Sequence, residues 1–550
     1  MTTPVDPAAA TGATPAPAAR KPGASVMRSS AIYSGLTMIS RVMGFLRDLV
    51  ITYRMGASST IAADCYNTAL AFPNLFRRIF AEGAFATAFV PAYARSLATE
   101  GEEIADVLAA DAMATLAAAT IVITVGAQLA MPWLMYVINP GYAHDLVKFK
   151  LAVTLTQIAM PYLPCMAIYA HLSGVLQARG RFIVSALAPT LLNLVMLVAV
   201  WPQTEAVNAA YAASVGVIVA GVLQAGLLWW GVRKSGARVD VRLPRLTPEI
   251  KALIGLAIPG AIAASATQIN IFISGNLASL VPGGRSWLAA ADRLYQLPLG
   301  LVGVAIGVAL LPRLSTTVQS GDHGGAQSAM DEAMALSLAF SLPAAAALVG
   351  MPFFLIDALF TRGEFTLFDA HQTADALFWY GLGTPAFVLT RILNQAFFAR
   401  QDTRSPMRFA LVSVGVNVVA GVALFFLMHG VAGIAAATAL AAWLNVGQML
   451  RALLRRGYYA PSARAVSRLV RIMIASGVLT GLLYLAGETR PLYEPWLLHR
   501  KEIAVVAAVG AGAVVYLVLL FALRALTLRE IRAALRRSPR SADAIADNSL

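Results

Sequence analysis

A chain of 550 residues that is 58% hydrophobic and 13% charged, with a mean hydropathy of +0.69, is too apolar for an ordinary soluble domain. Residues 118–138 and 502–523 are each continuous runs long enough to cross a bilayer core as a helix of about 20 residues, whereas barrel strands would alternate over about 10. The composition therefore predicts an all-α polytopic membrane protein, and the net charge of +14 does not indicate nucleic acid, because most arginines lie between the hydrophobic segments.

Residues 1–26 are rich in Ala and Pro and lack an apolar core, so they read as a disordered cytoplasmic tail, neither a signal peptide nor a span. With Pro, Gly and charge as punctuation, fourteen transmembrane helices are expected near 31–54, 62–98, 104–135, 146–178, 182–202, 206–232, 248–279, 286–318, 325–356, 366–399, 405–428, 431–454, 465–487 and 502–526. Cys65 and Cys165 fall inside apolar segments without ligand spacing and read as packing residues. Arg95, Arg179, Arg181, Arg238, Arg313, Arg400, Arg456 and the arginines beyond 523 fall on one side of this arrangement. The other side holds little beyond Arg54, Arg285, Arg362 and Arg490. By the positive-inside rule both termini are cytoplasmic.

An internal repeat is visible. Pro91 and Pro312, Pro164 and Pro385, and Arg179 and Arg400 are each separated by 221 positions, and the MPW at 131 and MPF at 351 by 220. The expected organisation is two pseudo-symmetric six-helix lobes, 27–232 and 248–456, joined by a cytoplasmic linker at 233–247. Two C-terminal helices in 457–527 and a cytoplasmic tail at 528–550 follow. Six is even, so the repeat is parallel, an arrangement in which a substrate site forms between lobes and access alternates.

Charges embedded in these segments locate the site. On a helix, the stretch SRVMGFLRD at 40–48 gathers Ser40, Arg41, Gly44, Arg47 and Asp48 within an arc of roughly 120°. Charges at membrane depth face a bundle interior or a wet cavity. One reading makes Arg47 and Asp48 a structural pair with Arg41 reaching the interface; the other uses the surplus positive charge to hold an anion. The stretch NLFRRIFAEGAF at 74–85 adds Asn74, Arg77, Arg78 and Glu82, with Arg78 and Glu82 at i, i+4 spacing. Asp64 precedes them. Asp292 and Arg293 are adjacent in AADRLYQLP, and Arg391 lies in LTRILNQAFFARQD. Arginine suits bidentate capture of phosphate, so Arg41, Arg47, Arg77 and Arg293 are expected to converge on one cationic cavity for an anionic substrate. No phosphate-binding GxxxxGK[ST] loop, HExxH or Cys/His cluster occurs, so no cofactor, metal or enzymatic reaction is expected, and His171 reads as a packing residue.

SRVMGFLRD, the block AADCYNTALAFPNLFRRIFAEGAFATAFVPAYA and ADRLYQLPLGLVGVAIGVALLPRLS together resemble the MurJ (MviN) lipid II flippases of bacteria, within the multidrug/oligosaccharidyl-lipid/polysaccharide exporter superfamily. The resemblance covers about 27–526. It implies fourteen helices, two lobes around a cationic cavity, and a final helix pair forming a lipid-tail groove. It also implies a substrate, undecaprenyl-diphosphate-linked disaccharide pentapeptide, moved from inner to outer leaflet of the cytoplasmic membrane for peptidoglycan synthesis. Matched motif by motif, the family's cavity positions fall on Arg41, Arg47, Arg77, Arg293 and Asp64. Ser40, Gly44, Asn74, Asp48, Arg78, Glu82, Asp292 and Arg391 lie in support. Some members are thought to bind sodium through embedded carboxylates; here residues 253–276 and 409–426 contain no Asp or Glu, which favours membrane potential or a proton gradient. Beside lipid II and membrane lipids, cell-wall synthesis enzymes are candidate partners. Alternatives are export of another lipid-linked saccharide or an amphipathic drug, and a non-transporting scaffold for cell-wall enzymes.

Overall fold

A computed structural model describes residues 24–76, 78 and 85–525, so the two expected tails fall almost wholly outside the described residues. In chain order the helices are α1 (Ala24–Met55), α2 (Ala62–Phe76), α3 (Phe85–Thr99), α4 (Glu102–Ile138), α5 (Leu146–Ala159), α6 (Tyr162–Ala178), α7 (Ile183–Val200), α8 (Ala206–Lys234) and α9 (Pro248–Ala278). They continue as α10 (Gly284–Gln319), α11 (His323–Gly350), α12 (Pro352–Phe360), α13 (Leu367–Phe398), α14 (Arg404–Leu427), α15 (Val431–Arg455), α16 (Ala463–Glu488), α17 (Arg490–Tyr493) and α18 (Lys501–Ala522). No strand occurs among the described residues.

Ten spans among the described residues are long and apolar enough to cross a membrane: α4, α5 with α6, α7, α8, α11, α13, α14, α15, α16 and α18. The expected fourteen would add α1, α2 with α3, α9 and α10. Of these, α1 and α10 carry the embedded charges.

Two expected helices are broken, each at a proline that removes a backbone donor. The segment 146–178 divides at Met160 and Pro161, and the segment expected at 325–356 divides at Met351, with Pro352 opening α12. Side-chain caps fix several starts. Asp145 accepts from the N–H of Val147 and Lys148, Thr247 from Ile250 with Pro248 as first residue, and Ser462 from Ala465.

The interior divides along the chain. Two apolar clusters draw on residues 51–217 and 89–253, and a third on 310–525. A fourth joins Ala57, Phe45 and Leu49 to Trp287, Phe360, Phe365 and Leu377, and is where the N-terminal and C-terminal parts meet. The two arginines of the sequence repeat stand at the ends of α6 and α13. Each guanidinium lies over a tyrosine ring, Arg179 at 6.0 Å from the Tyr93 centroid and Arg400 at 4.6 Å from that of Tyr458. Arg179 also donates to Asp106 at 3.0 Å, and the other oxygen of Asp106 accepts the Arg238 N–H at 2.6 Å. The linker is thus docked, with Ala237 and Val239 buried.

At one end of the bundle the two parts are tied by polar contacts. Asp369, fully buried, caps its own helix through Thr366 while its Oδ1 accepts from Ser58 N at 3.0 Å, Ser58 Oγ at 2.5 Å and Trp287 Nε1 at 2.8 Å. Glu364 N donates to Tyr53 O at 3.1 Å. Gly363 next to it has φ +57°, and a Cβ there would lie 2.3 Å from Tyr53 O. Beyond this seam, Asp357 accepts from Arg490 at 2.5 Å and Lys501 at 3.0 Å. Burial would raise its carboxyl pKa, but these hydrogen bonds outweigh it and hold the group below its ordinary value.

Asp369→Ala removes the acceptor from the buried indole N–H of Trp287, at a cost of about 1–3 kcal/mol, and from the half-buried Ser58 N–H. Hydrogen exchange of segments 56–61 and 361–366 is expected to accelerate in this variant, and unchanged exchange would contradict the role given to Asp369.

A cationic cavity between α1, α2, α9 and α10

Between the two parts lie two adjoining cavities of about 980 and 480 Å³. They share walls contributed by Arg47, Asn67, Arg78, Arg285, Asp292 and Arg293. The larger also receives Ser40, Arg41 and Gly44 from α1 and Arg391 from α13; the smaller receives Asn74 from α2. The cationic face of α1 therefore lies along one wall. On α10, Arg285, Ala289, Asp292, Arg293 and Gln296 recur at three- and four-residue intervals and form the facing wall.

Asp48 joins the two walls. Its Oδ1 accepts from Arg47 Nε at 3.0 Å and Nη2 at 2.7 Å, and its Oδ2 pairs with Arg293 Nε. Arg47 Nη1 donates to Asn193 Oδ1 at 3.0 Å, and Asn193 Nδ2 donates in turn to Ser40 O at 2.9 Å. Gly44 packs against that amide, where a Cβ would stand in ordinary contact at 3.5 Å. Arg47 is thus fixed from both sides, while the Arg293 side chain remains 41% exposed to the cavity. Arg41, Arg78 and Arg391 have no carboxylate within ion-pair distance among the described residues. Six arginines line the two cavities against Asp292 and the bridging Asp48, so the space is cationic.

The described residues place other expected positions differently. Asp64 does not line the cavities. It is fully buried and pairs with Lys148 Nζ at 2.7 Å, accepting also from Gly283 N at 2.9 Å, Ser286 N at 3.1 Å and Ser286 Oγ at 2.8 Å. The carboxylate thereby caps the start of α10 from α2 and ties the N-terminal part to the C-terminal part. Arg77 and Glu82 lie outside the described residues. The two carboxylate-free segments 253–276 and 409–426 meet at an amide pair, Asn417 Nδ2 donating to Asn270 Oδ1 at 2.8 Å.

The sequence profile described as "Lipid II flippase MurJ" matches residues 51–499. The chain is 36% identical over 520 residues to "Probable lipid II flippase MurJ" of Rhizobium meliloti (strain 1021), with 93% of this chain and 97% of that protein covered. The chain belongs to the MurJ lipid II flippase family. It is also 33% identical to "Lipid II flippase MurJ" of Burkholderia cenocepacia, covering 84% of this chain and 90% of the relative. In fold it resembles the solved structure "Lipid II flippase MurJ, inward closed conformation", with a TM-score of 0.72 at 21% identity over 89% of this chain and 98% of that one. A more distant likeness is to an inward-facing MATE family transporter of the MOP superfamily, with a TM-score of 0.63 at 14% identity over 78% and 98%.

Arg285 and Asn193 of the cavity wall, and Lys148 behind it, are not marked in the sequence. Arg285 stands at a loop edge in sequence, and only its eight-residue spacing from Arg293 signals a shared helix face. Asn193 and Lys148 gave no signal, because their partners are 146 and 84 residues away.

Replacing Asp64 with Asn leaves the Lys148 ammonium buried beside a neutral group, and the expected loss of stability is about 3–5 kcal/mol. Adding Lys148→Met in that background should recover much of it. Thermal unfolding of the purified variants checks this, and an Asp64→Asn protein that melts with the native one would contradict it.

Proposed function

We propose that this chain is a lipid II flippase of the bacterial cytoplasmic membrane, carrying undecaprenyl-diphosphate-linked disaccharide pentapeptide from the inner to the outer leaflet by alternating access. The observation that carries the reading is the cavity wall of six arginines bridged across α1 and α10 by Asp48, in a family of lipid II flippases. A diphosphate taken from water into an apolar core loses its hydration, a cost far above the net stability of a domain unless charged hosts replace the water. Arg47 and Arg293 present planar donors that match phosphate oxygens in pairs. The diphosphate would compete with Asp48 for them. No covalent step belongs to this reading.

The lobes of the transport cycle are 27–232 and 248–456, with the docked linker 233–247 on the cytoplasmic side together with both termini. The seam at Asp369 and Asp64 then lies on the outer side, and the cavity opens inward. The polyprenyl tail stays in lipid along residues 457–527, where α16 and α18 expose Val470, Met473, Ile474, Val506, Val514 and Val518. The Asn417–Asn270 pair supplies no carboxylate for a sodium ion, which supports membrane potential or a proton gradient as the energy source. Candidate protein partners are cell-wall synthesis enzymes.

Arg293→Ala is expected to abolish the appearance of lipid II on the outer leaflet while the protein still reaches the membrane. A leaflet-specific accessibility assay in cells depleted of the native protein reads this out. Normal outer-leaflet labelling with the variant would overturn the reading.

A further inference from the structure

Arg285 is the cavity arginine that the diphosphate does not explain. It occupies the first turn of α10, where the helix N-terminus disfavours a cation. Its guanidinium lies against Gly275 of α9, where a Cβ would stand 2.9 Å from Nη2 and 3.1 Å from Cζ and Nη1. The absence of a side chain at Gly275 is what admits the group. Of five N–H donors, one is used, Nη2 to Ile138 O at 3.2 Å, and Nε is buried without an acceptor. No carboxylate pairs with it among the described residues, and both oxygens of Asp64 are already taken by Lys148, Gly283 and Ser286. A guanidinium with one neutral partner and a buried, unpaired Nε is under-satisfied. It nevertheless borders both cavities.

Arg285 and Arg293 share one face of α10, eight residues and about 12 Å of rise apart. A diphosphate is shorter than that rise, so Arg285 offers a cationic centre displaced along the wall from the one at Arg47 and Arg293. Between the two centres Ala289 keeps the wall low, and Asn67 and Ser274 offer neutral hydrogen bonds beside Arg285. The position lies at the seam end of the cavity, beside Ile138 and Ser286.

We propose that Arg285 forms a second anion subsite that binds a carboxylate of the peptide on the substrate's headgroup, and so selects which headgroups the cavity accepts. The proposal rests on the lipid II reading above. A peptide ends in a carboxylate, and the planar fork of arginine matches its two oxygens. The saccharide spans the interval between the two cationic centres.

The test uses the purified full chain in lipid nanodiscs and three probes: undecaprenyl diphosphate, lipid II with free peptide carboxylates, and lipid II with those carboxylates amidated. The native chain is expected to bind the free-carboxylate form about tenfold more tightly than the amidated one. Arg285→Gln should bring the two to equal affinity, and Arg285→Lys should restore part of the difference. Equal native affinity for the two headgroup forms would overturn the proposal. So would an Arg285→Gln variant that loses thermal stability but keeps the native preference, since Arg285 would then only pin α4 through Ile138. Failure of the native chain to bind any of the three lipids would overturn the lipid II reading, and this proposal with it.

Discussion

Asp48 sits between Arg47 on its own helix and Arg293 on α10, and this bridge places one negative charge between two positive ones inside an apolar bundle. The requirement that embedded charge be compensated shapes the surrounding wall. Asn193 on α7 takes a third Arg47 donor and holds α7 against α1 through Ser40 O, beside Gly44. Even so, the cations outnumber the acids, and the surplus is exposed to the cavity and not to the apolar exterior.

The seam at the other end solves its polar problem in the opposite way. There, carboxylates from one part of the chain are saturated by donors from the other: Asp369 by Ser58 and Trp287, Asp64 by Gly283, Ser286 and Lys148. Saturated contacts tie the two parts together there, while the unpaired cations along the cavity leave it receptive to an anion. A transporter that alternates must exchange these states, and such an exchange is feasible because the contacts joining the parts at the seam are polar and discrete, with water able to replace them on opening.

The sequence made the helical class legible because bilayer-length apolar runs are unambiguous, and the 40–48 stretch showed its cationic face because helical periodicity is local. The 221-residue repeat pointed to Arg179 and Arg400; each ends its helix over a tyrosine ring, but Tyr93 on α3 and Tyr458 after α15 do not correspond in that register. What could not be read were contacts made across the chain. Asp64 looked like a cavity acid from its neighbours in sequence, yet its partners Lys148 and Ser286 are 84 and 222 residues away. The breaks at Met160 and Met351 were hidden because hydropathy continues through them while the backbone does not. Arg285 counted as a loop charge because its turn follows a short connection, and only the packing of α9 against it shows that it faces inward.

The most direct measurement on the bridge compares the affinity of the native chain and of Asp48→Asn for undecaprenyl diphosphate. If the carboxylate holds the arginines until a diphosphate takes its place, removing its charge should tighten binding by about tenfold while transport falls, because the empty protein no longer has its bridge. Unchanged or weaker binding by Asp48→Asn would contradict that exchange.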